Sequence, residues 1–321
     1  MPSAVAYSEP RRICERGCGT AGHAVATERG MTKILFPTDF SPGSADAMRV
    51  AVRMAREAKA KIVVAHAWQI PALAYGSEPF SMAPALMQTM SDDAKHALAG
   101  VVDELKKQGL EATGNMSTGV SWSRLAEIAD ADPEIQLIVM GTHGRTGFKR
   151  VVLGSVAEKV VRHAPCSVLV SRGGDAKPFT DVLVPVDFSV SSQVAVDRAA
   201  RLVSPGGSGI TLLHVIEAPV AVNGEVFDLA FMRELDQSST TALDEIAKRL
   251  ERKVDVPVKT RVRIGYAGGQ ILTVLDDDPG FDLVVMGSHG RTGLKRVLLG
   301  SVAEKVVRHA PCSVMIARDR T

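Results

Sequence analysis

Twenty-eight residues, from Gly141 to Val168, recur from Gly287 to Val314 with three substitutions, Thr142/Ser288, Phe148/Leu294 and Val152/Leu298, each conserving chemical type. A chain that writes one long segment twice must build the same local structure twice. Two more anchors fix the register: "ILFPTDFS" (Ile34 to Ser41) matches "VLVPVDFS" (Val182 to Ser189), and His66 matches His214, both at an offset of 148 residues against 146 for the long repeat. A small net deletion in the middle of the second half accounts for the difference. A length of 321 residues accommodates two such halves, each with its own core. The expected organisation is a domain over 31–172, a linker "SRGGDAKP" from Ser171 to Pro178 with suitable Gly, Pro and charge content, and a second domain over 178–318.

The first 30 residues fit neither half and read as a disordered extension. Cys14, Cys18 and His23 there could supply three zinc ligands, but a closed structural site needs four. With 45% apolar and 23% charged residues and a formal charge of +2, the composition is that of a globular protein without a general electrostatic footprint for nucleic acid or acidic membranes. No stretch has the length of a membrane span and the N-terminus lacks a signal peptide's apolar region, so the expectation is a cytoplasmic protein. Cys166 and Cys312, at equivalent places in the repeat among apolar neighbours, read as buried reduced thiols.

Each half alternates short β-rich runs with helical patterns, which predicts a parallel sheet with helices on both faces. Strands are expected at Lys33–Pro37, Lys61–Ala67, Glu111–Thr118, Gln136–Met140 and Ser167–Ser171, and again at Asp181–Val186, Gly209–Val215, Val258–Ile264, Asp282–Met286 and Ser313–Ala317. The nearly continuous apolar runs "IVVAHA", "LIVM" and "LVVM" suit strands covered on both faces. Ser41 with Pro42 supplies an N-cap and a rigid first turn, after which Ala47, Ala51, Met54, Ala55 and Ala58 recur at helical spacing. The Pro- and Met-rich stretch Gln69 to Met90 reads as an irregular excursion before a helix ending near Gly109, with a counterpart over about Glu225 to Lys253.

The repeat leads from a buried strand, through "GTHGRTGFKRVVLGS", into a helix beginning near Ser155. In open parallel sheets, ligands settle past the carboxyl ends of the strands where the strand order reverses, and this loop leaves from such an end. Gly141, Gly144 and Gly154, with Gly287, Gly290 and Gly300, permit close approach to the main chain. Ser155 and Glu158, like Ser301 and Glu304, have the spacing of a capping box, and a helix N-terminus attracts anions. Arg145, Lys149 and Arg150, matched by Arg291, Lys295 and Arg296, add positive charge. Two readings stand on these residues: a cradle for a phosphate chain, or glycine turns and a solvated basic loop. Asp39 and Asp187, just past the first strand of each half, are either acceptors for a ribose or base, or turn residues. His66 and His214 read as core histidines; His143 and His289, inside the glycine loop, are either ligand contacts or exposed side chains.

The spacing Gly141-x2-Gly144-x9-Gly154-Ser155, repeated as Gly287-x2-Gly290-x9-Gly300-Ser301, together with "PTDFS", "PVDFS" and "HAPCSV", resembles the nucleotide-binding signature of the universal stress protein family over about Met31 to Arg318. The resemblance implies two tandem open-twisted α/β domains, each a five-stranded parallel sheet of order 3-2-1-4-5 that binds ATP, alone or with Mg. It would place Asp39 and Asp187 on base or ribose, and the backbone of Ala67 and Val215 on adenine. Gly141, Gly154, Gly287 and Gly300 would lie near ribose and phosphates, with Gly144, Ser155, Gly290 and Ser301 on the phosphate chain. Ala67 departs from the family's usual valine, which a backbone contact tolerates. The family's pairing of last strands would bring Val168–Val170 against Val314–Ile316 within one chain, with a homodimer as a further option. The function implied is an ATP-binding stress-response or signalling module. The alternatives are an enzyme of the wider adenine-nucleotide hydrolase and transferase superfamily, whose H-x-G-H or S-G-G-x-D-S signatures are not at the first strand, and a scaffold that no longer binds nucleotide.

Overall fold

A computed structural model describes residues 31–68, 84–142, 153–173, 176–217, 229–290 and 299–320. The Cys14, Cys18, His23 group, the first part of the excursion (residues 69–83), His143, Gly144 and the basic residues of both glycine loops lie outside the described residues.

The first half runs β1 (Lys33–Pro37), α1 (Pro42–Ala58), β2 (Lys61–Trp68), α2 (Pro84–Lys107), β3 (Ala112–Thr118), α3 (Ser121–Ala131), β4 (Ile135–Gly141), α4 (Ser155–His163) and β5 (Ser167–Ser171). The second repeats it as β6 (Asp181–Pro185), α5 (Val190–Leu202), β7 (Gly209–Ile216), α6 (Leu229–Glu251), β8 (Val258–Ile264), α7 (Ala267–Asp277), β9 (Leu283–Gly287), α8 (Ser301–His309) and β10 (Ser313–Ala317). The strands expected from sequence are all present, with ends differing by a residue at most positions. The helix after the excursion starts earlier than expected, at Pro84.

Within each half the strands pair in parallel, and the halves join edge to edge into one ten-stranded sheet, β3-β2-β1-β4-β5-β10-β9-β6-β7-β8. Each half therefore has the order 3-2-1-4-5. At the seam β5 and β10 run antiparallel, Val170 opposite Val314, Leu169 opposite Met315 and Val168 opposite Ile316. All five residues of each strand are buried, so two edges that would otherwise expose unpaired main chain satisfy one another. The period-2 alternation of side chains splits the core into two layers that cross the seam. Leu169 and Met315 enter the layer under α1, α2, α5 and α6, while Val168, Val170, Val314 and Ile316 enter the layer under α3, α4, α7 and α8.

α1 starts where Ser41 accepts a bond from the Ser44 amide, with Pro42 in its first turn, and it buries Ala47, Ala51, Met54 and Ala55. The linker is less of a tether than its composition suggests. Ser171 completes β5, and Phe179 is buried beneath the Arg53 guanidinium, 4.6 Å from its ring centre.

The seam accounts for the C-terminal part of the repeat. Arg172, the residue after β5, donates to the carbonyls of Val307 (2.6 Å), Arg308 (3.2 Å) and Cys312 (3.4 Å). Arg318, its equivalent after β10, donates to those of Val161 (2.6 Å) and Arg162 (3.2 Å). Each half thus sends an arginine to the C-terminal turn of the other half's helix, where carbonyls lack intrahelical donors and the helix dipole is negative. Ser167 and Ser313 bond the main chain of Arg318 and Arg172. Above them Arg162 reaches Glu304 (3.0 Å) while Arg308 reaches Glu158 (3.2 Å) and Glu304 (3.1 Å). A pseudo-twofold contact uses the same residue types on both sides, so Glu158, Arg162 and Ser167 must match Glu304, Arg308 and Ser313. Burial lowers the Arg318 pKa to about 10, which leaves it charged at neutral pH.

Arg318→Ala or Arg172→Ala should each destabilise the chain by about 2–3 kcal/mol in urea denaturation, because charged donors to buried carbonyls are lost. A loss below about 0.5 kcal/mol for both would remove the crossed caps from the account. Cys166 and Cys312 are free and buried, and burial pushes their thiols up to about 11 and about 12. A raised folded pKa means the unfolded chain ionises first, so stability holds below pH 9 and falls above it. Between about pH 9 and about pH 10.5 the chain should lose about 1 kcal/mol per pH unit per thiol more than a Cys166→Ala, Cys312→Ala variant. Parallel pH profiles would contradict this.

Candidate functional site

At the carboxyl ends of β6, β7 and β9 a cleft of about 750 Å³ opens between the sheet, α6, α7 and the start of α8. It sits where the order reverses, since β6 has β7 on one side and β9 on the other. The cleft brings together Asp187, Val215, Gly287, Gly290, Gly300 and Ser301, the six positions singled out in the second half. Its volume lies within the range of about 300–1,000 Å³ usual for small-molecule sites.

The loop after the first strand is built identically in both halves. One Asp187 oxygen, Oδ1, accepts from the Ser189 amide (3.1 Å) and hydroxyl (2.6 Å), and Asp39 does the same with Ser41 at the same distances. Ser189 and Ser41 in turn cap α5 and α1 through the amides of Ser192 (3.2 Å) and Ser44 (3.3 Å). The turn reading of these aspartates is therefore correct for Oδ1. Between aspartate and serine, Phe188 and Phe40 hold φ of 63° and 61°, a left-handed conformation costly for a bulky residue and tolerated only where the surroundings impose it. The imposing contacts are the rings of His214 and His66, each 4.5 Å away. Those histidines are buried, and their Nδ1 atoms donate to the carbonyls of Val186 (2.7 Å) and Thr38 (2.8 Å). They are core residues, as expected, and they hold the strained turn that presents the aspartate.

The second Asp187 oxygen faces the glycine loop: a Cβ on Gly290 would stand 2.9 Å from Oδ2. Gly287 has a different reason to be glycine. A Cβ there would come within 2.8 Å of the carbonyl carbon and Cβ of Ser191, so it lets the first turn of α5 pack on the strand end. At Gly300 a Cβ would meet the Ser288 carbonyl oxygen at an ordinary 3.4 Å, and the Gly300 amide bonds that oxygen at 2.9 Å, closing the base of the loop. The Gly154 amide bonds the Thr142 carbonyl in the same way, at 2.8 Å.

The start of the repeated helix differs from expectation. The N-caps are Gly154 and Gly300 in extended conformation, and Ser155 and Ser301 are the first helical residues. Among the described residues no side chain caps either helix, so Ser155 and Ser301 do not form the capping box. Glu158 and Glu304 instead pair across the seam with Arg308 and Arg162, a long-range attraction that a local spacing rule does not register. The consequence favours a ligand. Among the described residues the first-turn amides of α8, which a serine cap would have engaged, have no side-chain cap beside the cleft, and the exposed Ser301 lies among its lining residues.

Sequence reasoning missed the opposite wall. Ser238 and Ser239 of α6 and Tyr266 before α7 line the cleft, with the Lys305 ammonium 4.9 Å from the Tyr266 ring centre. Their helical or turn setting gave no motif by which to find them. His289 lines the cleft, with Nδ1 2.9 Å from the Ser288 hydroxyl. In the first half Asp39 follows β1, Ala67 lies on β2, Gly141 ends β4, and Gly154 and Ser155 cap and begin α4, the places matching those of the second half. The Ala67 carbonyl accepts from Ser121 at 3.4 Å.

Comparison with known proteins agrees with this architecture. The family model described as the universal stress protein family matches residues 31–172 and again 178–318. A universal stress protein of Mycolicibacterium smegmatis is 30% identical over 309 residues, covering 92% of this chain and 99% of the relative. One from Methanocaldococcus jannaschii is 33% identical over 146 residues, 44% of this chain and 81% of the relative. Among solved structures, a universal stress protein of Archaeoglobus fulgidus shares the fold with a TM-score of 0.64 at 22% identity, covering 91% of this chain and 99% of its own. The double match over two similarly folded halves leads to one conclusion: the chain belongs to the universal stress protein family, as a tandem member.

Proposed function

We propose that the chain is an ATP-binding stress-response or signalling module, with one nucleotide site in each half, that binds ATP, alone or with Mg, without turning it over. The observation that carries this reading is the convergence of Asp187, Val215, Gly287, Gly290, Gly300 and Ser301 on one cleft over an α-helix start that, among the described residues, no side chain caps. The first-turn amides of α8 and the Ser301 hydroxyl suit phosphate oxygens, aided by about half a positive charge at the helix N-terminus. Asp187 Oδ2 is an acceptor for ribose hydroxyls, and the strand end at Val215 offers backbone groups to the base. Gly290 keeps the loop within reach of that carboxylate. The structural duty of two titratable groups of the cleft supports the module reading: Asp187 and His214 both hold main chain in the strained turn. Nucleotide occupancy then acts by favouring one conformation or partner-bound state over another.

Isothermal titration of the full chain with ATP tests this. Micromolar or tighter binding is expected, and Gly290→Val together with Gly144→Val should weaken it at least about tenfold by crowding the loop, with an unchanged circular dichroism spectrum. Unchanged affinity would remove the glycine loops from the site. Nucleotide recovered after incubation should still be ATP; full conversion to ADP would favour the hydrolase alternative.

A further inference from the structure

Among the described residues the sheet ends in two strands, β3 and β8, that pair with a neighbour on one side only, and their side chains differ. Their registers against β2 and β7 make Ala112 equivalent to Val258, so Thr113, Asn115 and Ser117 stand where β8 carries Lys259, Arg261 and Arg263. In the second half Arg261 bonds Asp278 (3.1 Å) and lies over Phe281, while Arg263 reaches Asp277 (3.8 Å). Long cations thus guard that edge, as edges commonly are. In the first half the short side chains leave a groove of about 1,140 Å³ between β3 and α3, and no residue of β3 is charged.

Which main-chain groups this edge offers follows from the inner pairing. The Ile62 amide bonds the Glu111 carbonyl and the Gly119 amide bonds the Trp68 carbonyl, so odd-numbered residues of the strand face β2. Ala112, Gly114, Met116 and Thr118 therefore turn their amides and carbonyls outward. The Thr118 carbonyl already accepts from Arg124 at 3.0 Å and retains a second lone pair.

We propose that β3 is a homodimer interface, in which two copies of the chain pair their β3 edges antiparallel about a twofold axis at Asn115. Gly114 then exchanges main-chain bonds with Met116 of the second copy, and Ala112 with the second copy's Thr118. The chain already joins its own halves by the same antiparallel edge contact at β5 and β10, so the second copy extends an existing mode. Charge fits as well: Glu111 at one end of β3, with a 73% exposed side chain paired to its own copy's Lys61, comes beside the second copy's Arg124, which pairs with its own Glu127, so opposite charges meet at both ends of the pairing. β8 paired with itself would set Lys259 against Arg263 and Arg261 against Arg261, so association stops at the closed dimer. The proposal is independent of nucleotide binding.

The test is sedimentation velocity on the full chain from about 1 to 100 μM, with and without variants at the axis. Wild type should sediment as a dimer of twice 34.1 kDa. Asn115 faces its own copy, so Asn115→Arg and Asn115→Asp should each weaken the dimer about tenfold, and mixing the two should restore it. The groove that accepts Arg at the equivalent second-half position leaves room for Asn115→Arg to fold. Met116→Pro, which removes one outward amide, should also give monomer. A wild-type monomer at every concentration, which would leave the edge to an extended peptide instead, or a dimer indifferent to all three variants, would overturn the proposal.

Discussion

The crossed arginine caps at the β5–β10 seam are the constraint on which the remaining architecture depends. Helices α4 and α8 are only nine residues long, and their C-terminal carbonyls are held by Arg318 and Arg172 from opposite halves. Short helices have little stability of their own, so this long-range fastening and the burial of Val160, Val161, Val306 and Val307 fix their position. With one end pinned across the seam, the other end is set against the strand tips. The two ends of the repeat thus have separate physical causes. "SVAEKVVRHAPCSV" matches because a pseudo-twofold contact demands it, and the glycine end belongs, in the second half, to the cleft at the start of α8.

The acidic residue one turn into each helix links these ends. Glu158 and Glu304 have the spacing to cap the helix, yet the seam arginines attract them. The start of α8 is consequently left to a glycine, which supplies no side chain to compete with a ligand for the first-turn amides. The aspartate loop is held with equal firmness by different means. A histidine bonded to a backbone carbonyl packs on a phenylalanine in left-handed conformation, and the strain fixes where the aspartate stands.

Much of this was legible in the sequence. Apolar runs with β-branched residues located the strands, because strand period and burial are local properties, whereas the pairing of β5 with β10 followed only from the family resemblance. Asp187, Gly287, Gly290, Gly300 and Ser301 converge on the cleft because glycine spacing, a strand end and a helix start encode them directly, while Val215 came only from the family resemblance. What was hidden depends on partners far away in the chain. Arg172 and Arg318 occupy equivalent places after the repeat, but nothing local says that each crosses to the other half. Phe188 and Phe40 gave no sign of positive φ, since a bulky side chain is the last expected there. Gly287 looked like part of a ligand cradle, whereas its first duty is to admit the turn of α5 at Ser191. The difference between β3 and β8 is visible in the letters, yet acquires meaning only once both strands are seen to end the sheet.

The central claim is that the starts of α8 and α4 receive the anionic end of an adenine nucleotide while their far ends stay locked at the seam. Amide chemical shifts measured by nuclear magnetic resonance on ATP and on adenosine address it directly. The account predicts large shifts at Ser301, Val302 and Ala303, and at Ser155, Val156 and Ala157, with ATP and far smaller ones with adenosine, while Arg308 and Arg162 hardly move. Amides at the helix starts that stay still while ATP shifts residues elsewhere would contradict it.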